Sequence, residues 1–320
     1  MKEILRPGLA LDQTAAYARI RPRALAAYGL SSGTTPFDEI FGDLSAMSRL
    51  PSLSLALAML CAAASVPVLA KDGDGVKIGH SSYVGRLVPA SVVENQAVQQ
   101  YDQLVRQARQ KGALLSDSDR DLVRLKRIQQ DLLPHSYKFN ERAKDWKWEV
   151  NGIRSNTLNA FCMPGGKIAF FSGIIDKLQL SDDEIAMVMG HELAHALREH
   201  ARERMAKSAI TNYGSQIIGA ILFGQAGQYL GAQAGGLLTL KFSRDDETEA
   251  DLIGMELAAR AGYDPRSGLT LWKKMAEAAK GAPPAWFSSH PSSAARIKKI
   301  EATLPDVMPL YEAAKNNRQN

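Results

Sequence analysis

No stretch of this chain constrains its fold more than Ser181–His200, SDDEIAMVMGHELAHALREH. Ser181 with Glu184 three residues on is a capping box, which fixes a helix start, and Ile185, Val188, Met189 and Leu193 then recur at helical intervals. Residues four apart on a helix stand one turn above each other, so His191 and His195 can aim two imidazoles at one point. A neutral imidazole binds zinc without burying a charge of its own. His-Glu-x-x-His on a helix is the zinc-peptidase arrangement, with Glu192 placed as general base. A zinc ion held there would bring the pKa of its water toward neutrality, and Glu192 would take the proton as that water attacks a peptide carbonyl. The five-residue pattern also recurs by chance. Here it lies mid-helix, behind its own cap and among apolar neighbours, and that context favours the chemical reading.

A catalytic zinc wants a third protein ligand and one open position. The best source is DDETEAD, where Glu247 and Asp251 again lie one helical turn apart. Glu247 can bind the metal while Asp251 accepts a hydrogen bond from a ligand histidine and fixes its tautomer. Glu249 points elsewhere by helical phase and is the weaker ligand candidate. Asp245 and Asp246 read as a solvated acidic face.

Around these helices the pattern predicts an α+β fold, mainly α. VVENQAVQQYDQLVRQARQKGALL and RDLVRLKRIQQDLL carry apolar residues every three or four, giving two amphipathic helices separated at Gly112 and SDSD, with Pro134 ending the second. WKWEVNGI and NAFCMPGGKIAFFSGII are rich in aromatic and β-branched residues and punctuated by Asn151-Gly152 and Pro164-Gly165-Gly166. They read as short strands of a small sheet ahead of the histidine helix. The chain carries no internal repeat.

The N-terminal part reads as targeting. From Met47, MSRLPSLSLALAMLCAAASVPVLAK has one Arg, an apolar stretch and small residues before Lys71, the three-part layout of a secretory signal cleaved near Ala70. A membrane anchor wants about 20 strongly apolar residues, and Pro51 and Pro67 interrupt this one. The alternative is an uncleaved anchor facing the periplasm. Residues 1–46 are then an upstream extension or tail, 47–70 the signal, 71–90 a linker and 91–320 the catalytic domain. With pI near 9.1, basic and acidic residues are interspersed, and no basic stripe with interleaved aromatics suggests a nucleic-acid partner. Two cysteines, Cys61 and Cys162, cannot make a disulfide framework, and Cys162 reads as a lone buried thiol.

Ser208 to Leu240 has no charged residue. It is long enough to cross a bilayer, but Asn212, Gln216, Gln225, Gln228 and Gln233 are costly in hydrocarbon. A buried or site-covering helical hairpin is the favoured reading, with peripheral membrane contact as the minor one.

Four motifs in order, NAFCMPGGKIAFFSGII, GHELAHALREH, FSRDDETEAD and SSHPSSAARI, resemble the zinc metalloendopeptidase family that includes HtpX, the Ste-type prenyl endopeptidases, the Oma-type mitochondrial peptidases and bacterial periplasmic relatives. The resemblance covers the chain from about Ser91 and implies a zincin-like domain holding one zinc through His191, His195 and Glu247, with Glu192 as acid/base. It further implies that Asn159, Ala160 and Phe161 lie in an edge strand along which an extended substrate is laid. It places His290 beside the cleft, either stabilising an oxyanion or occupying the open metal position; a loop histidine touching only solvent is the plain alternative. The chain lacks the strong spans of membrane-embedded members, so its expected role is that of a periplasmic quality-control peptidase acting on unfolded or misassembled envelope proteins. The rivals are a chaperone-like assembly factor for outer-membrane proteins and a membrane-embedded prenyl-protein protease.

Overall fold

The computed structural model describes residues 75–79, 82–213, 237, 240–280, 284–291 and 293–319, all within the unit Ala70–Asn320. The upstream extension and signal segment lie outside the described residues, as does most of the uncharged stretch expected to form a hairpin. Among the described residues no helix is long and apolar enough to cross a membrane.

The architecture is the expected one, mainly helical with a small sheet. The two amphipathic helices are α1 (Ala90–Gln110) and α2 (Arg120–Ser136). Their apolar stripes are buried, through Val93, Ala97, Tyr101 and Val105 on α1 and Leu125, Ile128 and Leu132 on α2. Asp119 caps α2 by accepting a hydrogen bond from the Asp121 amide at 3.0 Å. Pro134 does not end α2, contrary to expectation: the helix runs two residues further to Ser136. Proline in the last turn removes one backbone bond without breaking a following turn, and Ser136 Oγ takes up the Leu133 carbonyl at 2.7 Å.

Three strands follow, β1 (Glu149–Ile153), β2 (Ala160–Met163) and β3 (Lys167–Phe171), in the order β1-β3-β2. β2 and β3 form an antiparallel hairpin, turned through Gly165 and Gly166 at φ of 82° and 81°, while β1 runs parallel to β3. β2 is therefore an edge strand. From β3 the chain enters α3 (Ser172–Leu178), which ends on Gln179 in the left-handed region at φ 48°. It then enters the histidine helix α4 (Asp182–Leu197), whose start is the predicted capping box of Ser181 and Glu184.

Every residue of α4 from Glu184 to Leu197 is buried, so this helix runs through the core rather than over it. It ends before Glu199, whose left-handed backbone at φ 56° separates it from α5 (His200–Tyr213). The remaining helices among the described residues are α6 (Arg244–Arg260), α7 (Ser267–Ala278), the single turn α8 (Trp286–Ser289) and α9 (Ala294–Gln319). Ser243 and Asp246 give α6 a second capping box. Two glycines set how closely α4 and α6 cross. A Cβ at Gly190 would lie 2.8 Å from the Gly254 carbonyl oxygen, and one at Gly254 would lie 2.7 Å from the His191 amide nitrogen. Backbones in contact at that point bring the metal-ligand candidates of both helices within reach of each other. A strap formed by residues 75–79 lies against α6, where the Val76 amide donates to buried Glu256 at 2.8 Å and Lys138 and Arg260 pair with the same carboxylate.

Candidate metal centre and active site

α4 supplies His191, Glu192 and His195, α6 supplies Glu247 and Asp251, and the residue closing α8 is His290. All six side chains are buried. One ligand atom from each of His191, His195, Glu247 and His290 falls in a single group whose members lie within 4.8 Å of one another. Within it, His191 Nε2 is 3.1 Å from His195 Nε2, 3.3 Å from His290 Nδ1 and 3.6 Å from Glu247 Oε2. Glu247 Oε1 is 3.5 Å from His195 Nε2 and 3.0 Å from His290 Nδ1. Atoms bound to one tetrahedral zinc at about 2.0–2.1 Å are separated by roughly 3.3 Å, so the spacing fits zinc.

The proton arrangement fits as well. Asp251 Oδ1 lies 3.0 Å from His191 Nδ1 and, as a carboxylate, accepts the proton carried there. His191 Nε2 is then a lone pair turned toward the other ligand atoms. Glu247 Oε2 has the Arg296 guanidinium at 2.5 Å as an ion pair but receives no aligned hydrogen bond, leaving a buried acceptor directed at the group. Three imidazoles and one carboxylate are a donor set suited to zinc.

Electrostatics favour the ligand-competent forms of His195 and Glu247 but the charged form of His290. Burial pushes the His195 pKa well down, and the neighbouring histidines act in the same direction against the pull of the Glu247 carboxylate. Burial alone would raise the pKa of Glu247, but the histidines packed around its carboxylate hold it far below the carboxylate range. Asp251 is likewise low despite burial, because Arg296 grips both oxygens at 2.7 and 2.8 Å. Burial opposes a charged His290, yet Glu192 and Glu247 outweigh it and raise its pKa.

Glu192 sits beside the group rather than in it. Its Oε1 accepts from the Trp286 indole N–H at 2.8 Å and lies 3.5 Å from His290 Nε2. A cavity of about 40 Å³ opens here, walled by Phe161, Cys162, Met163 and Phe242 beside Glu192 and His290. Of the three residues expected along the substrate strand, Ala160 and Phe161 lie in β2, while Asn159 precedes it and its carbonyl accepts from the Phe171 amide at 3.1 Å. Only Phe161 of the three borders the cavity, which continues toward Met163 and Pro164. Cys162 is buried and free, and burial raises its thiol pKa.

Two secondary readings left open by the sequence fall away. His290 does not face solvent; it is 2% exposed, because the α8 turn tucks it under Phe242 and Trp286, whose ring stacks on it at 4.9 Å. Glu249 is no spare ligand, since its carboxylate turns to His200 and Arg198. Trp286, Arg296, Phe242 and His200 escaped the sequence reading. Arg296 and Trp286 approach the site from helices with no phase relation to it, so helical spacing carried no signal of them.

Residues 122–304 match peptidase family M48, which is more than half of the sequence. The chain belongs to this family. The group at His191, His195, Glu247 and His290 is compatible with the zinc on which M48 metallopeptidases depend. Among curated relatives, the mitochondrial metalloendopeptidase OMA1 of Schizosaccharomyces pombe is 42% identical over 166 residues, covering 51% of this chain and 48% of that protein. The metalloprotease LoiP of Escherichia coli is 31% identical over 146 residues, 45% of this chain and 57% of LoiP. The metalloprotease YcaL of Escherichia coli is 29% identical over 210 residues, 59% of this chain and 82% of YcaL. The chain spans about half the length of the OMA1 relative from Schizosaccharomyces pombe.

Proposed function

We propose that this M48 chain is an exported endopeptidase that hydrolyses peptide bonds of unfolded or misassembled envelope proteins. The observation that carries the hydrolytic part is the convergence of His191, His195 and Glu247 with Glu192 alongside, all buried. Export rests on the signal-like sequence of residues 47–70. The choice of unfolded substrates rests on β2, an edge strand whose Phe161–Met163 stretch walls the cavity beside Glu192. An extended segment added to that edge would gain main-chain hydrogen bonds available to any sequence in a non-native state.

Zinc, when held by His191, His195 and Glu247, supplies Lewis-acid polarisation of a carbonyl and an acidified water. Glu192 receives the water's proton at its carboxylate and returns it to the leaving amine. Trp286 keeps Oε1 of that carboxylate oriented by donating its indole N–H. Asp251, braced by Arg296, holds His191 in the tautomer that leaves Nε2 free. His290 Nδ1 stands among the ligand atoms, so His290 would be a fourth residue able to hold the metal in the absence of substrate.

Glu192→Gln tests the reading. The amide keeps shape but cannot take a proton, so the variant is expected to retain about one zinc per chain and to lose casein cleavage by at least ~100-fold. Metal content and proteolysis are measured on the same preparation. Substantial cleavage by the zinc-loaded variant removes Glu192 from the mechanism, and absence of zinc from the parent protein removes the function.

A further inference from the structure

His195 and His200 are five residues apart, which on an unbroken helix would turn them about 140° away from each other. They nevertheless touch: His195 Nδ1 and His200 Nδ1 are 2.9 Å apart, and the rings meet edge-on at 5.0 Å between centroids. Glu199 makes this possible. It adopts the left-handed region at φ 56°, ending α4 and starting α5 so that His200 faces back to the helix before it. A non-glycine residue there needs support, and Arg142 and Arg202 each donate to the Glu199 carboxylate at 2.6 Å.

Beyond His200 the contacts continue. His200 Nε2 lies 2.9 Å from Glu249 Oε2, and Glu249 Oε1 lies 2.9 Å from Arg198 Nη2. Arg198 donates from Nη2 to the Gly79 carbonyl as well, at 2.6 Å, which ties the outer end of the chain of contacts to the strap. The chemistry runs in one direction. Arginine only donates and a carboxylate only accepts, so a neutral His200 carries its proton on Nε2, toward Glu249. Its Nδ1 is then an acceptor, and the proton between the two histidines belongs to His195 Nδ1. That leaves His195 Nε2 as a lone pair directed at His191 and Glu247.

We propose that His200, backed by Glu249 and Arg198, is a positioning residue that fixes the metal-binding tautomer and ring orientation of His195. The proposal rests on the metal-site reading above and deepens it. The two histidine ligands are thus held differently, His191 by a carboxylate directly and His195 through an intervening imidazole. Glu247 and Glu249, two residues apart on α6, take separate roles because helical phase sends one to the ligand group and the other to the His200 side.

Zinc dissociation constants of the full-length protein, obtained by competition with a chromogenic chelator, test it. His200→Phe keeps a ring but removes the acceptor, and zinc binding is expected to weaken 10- to 100-fold, as for other partners of metal-bound histidines. His200→Asn, which returns an acceptor oxygen near the Nδ1 position, is expected to recover most of that loss; a merely space-filling His200 would give the reverse order. Unchanged affinity in His200→Phe overturns the proposal. A second measurement needs no variant. In the zinc-loaded, 15N-histidine-labelled parent, a scalar coupling across an N–H···N bond is expected between His195 Nδ1 and His200 Nδ1, and its absence overturns the assignment. A parent that binds no zinc in the same titration overturns the metal site itself and the relay with it. Zinc bound normally by both parent and His200→Phe leaves the metal site standing and removes only the relay.

Discussion

At the scale of single residues, His290 carries the sharpest functional choice. Its Nδ1 lies 3.0 Å from Glu247 and 3.3 Å from His191 Nε2, while its Nε2 is 3.5 Å from the Glu192 carboxylate. With zinc held there, an imidazole in that position would compete with substrate for the metal. Its hold comes from Trp286, which stacks on it, and from the two carboxylates, which favour its charged form over the metal-bound one. Proton and metal would therefore contend for the same ring, which would make His290 a displaceable ligand. His290→Ala is expected to raise turnover of a short peptide several-fold at saturating zinc, with zinc affinity lowered by about tenfold or less because three ligands remain. Steady-state kinetics with metal analysis decide the matter. A fall in turnover at unchanged zinc content would mean that His290 stabilises the oxyanion instead.

At the scale of elements, the crossing of α4 and α6 is the device that builds the site. Gly190 precedes His191, and Gly254 follows Asp251 by three residues, so the backbones touch where the ligands emerge. Gly254→Ala has helix propensity in its favour, worth about 1 kcal/mol in an exposed helix. The methyl group would nevertheless sit 2.7 Å from the His191 backbone nitrogen, which no side-chain rotation relieves. Overpacking of this kind costs about 1–3 kcal/mol, so net destabilisation is expected together with weakened zinc binding as Glu247 moves off His191. Chemical denaturation and zinc titration of the variant check both. A more stable variant with normal zinc binding would show that the helices part without consequence.

The same elements show what the sequence makes legible. The α4 start, the His191–His195 face and the Glu247–Asp251 face follow from local rules, caps and a period of 3.6, and they appear where those rules put them. The hairpin of β2 and β3 was marked by its Pro-Gly-Gly turn. Contacts between elements far apart in the chain were not legible. Nothing local shows that Trp286 reaches Glu192 across 94 residues, or that Arg296 ties Glu247 to Asp251. Gly190 and Gly254 read in sequence as weak helix formers, and their use is visible only when two helices meet. Glu199 is harder still, since nothing in its own preference marks a left-handed backbone, and the Arg142 and Arg202 bonds to its carboxylate come from elsewhere in the fold.

At the scale of the whole molecule, the candidate metal centre joins α4, α6 and the α8 turn, so zinc bound there would act on folding as well as on catalysis. A ligand bound only by the native state at 100 times its Kd stabilises by about 2.7 kcal/mol, which for a domain of this size raises Tm by about 5–10 °C. Loaded and EDTA-treated protein are therefore expected to differ by about that much at pH 7.5. The imidazoles must be neutral to bind zinc, so protons compete increasingly below the ordinary histidine pKa of about 6.5, and the two melting curves should converge by about pH 5. Further acidification acts on the carboxylates. Asp251 and Glu247 have folded pKa values depressed below their unfolded ones, the first mainly by Arg296 against burial and the second by its histidine partners against burial. Their contribution to stability is complete above the unfolded values of about 4 and is lost as pH falls through the folded ones. Metal-free protein should accordingly show little change in Tm between pH 7 and 5 from these two groups and a decline below about pH 4. Asp251→Asn should shrink that decline while lowering Tm at neutral pH, because it leaves Arg296 buried without its full partner. Scanning calorimetry across pH 3–8, with and without EDTA, separates the contributions. Coincident curves at pH 7.5 would remove zinc from the stability of the fold.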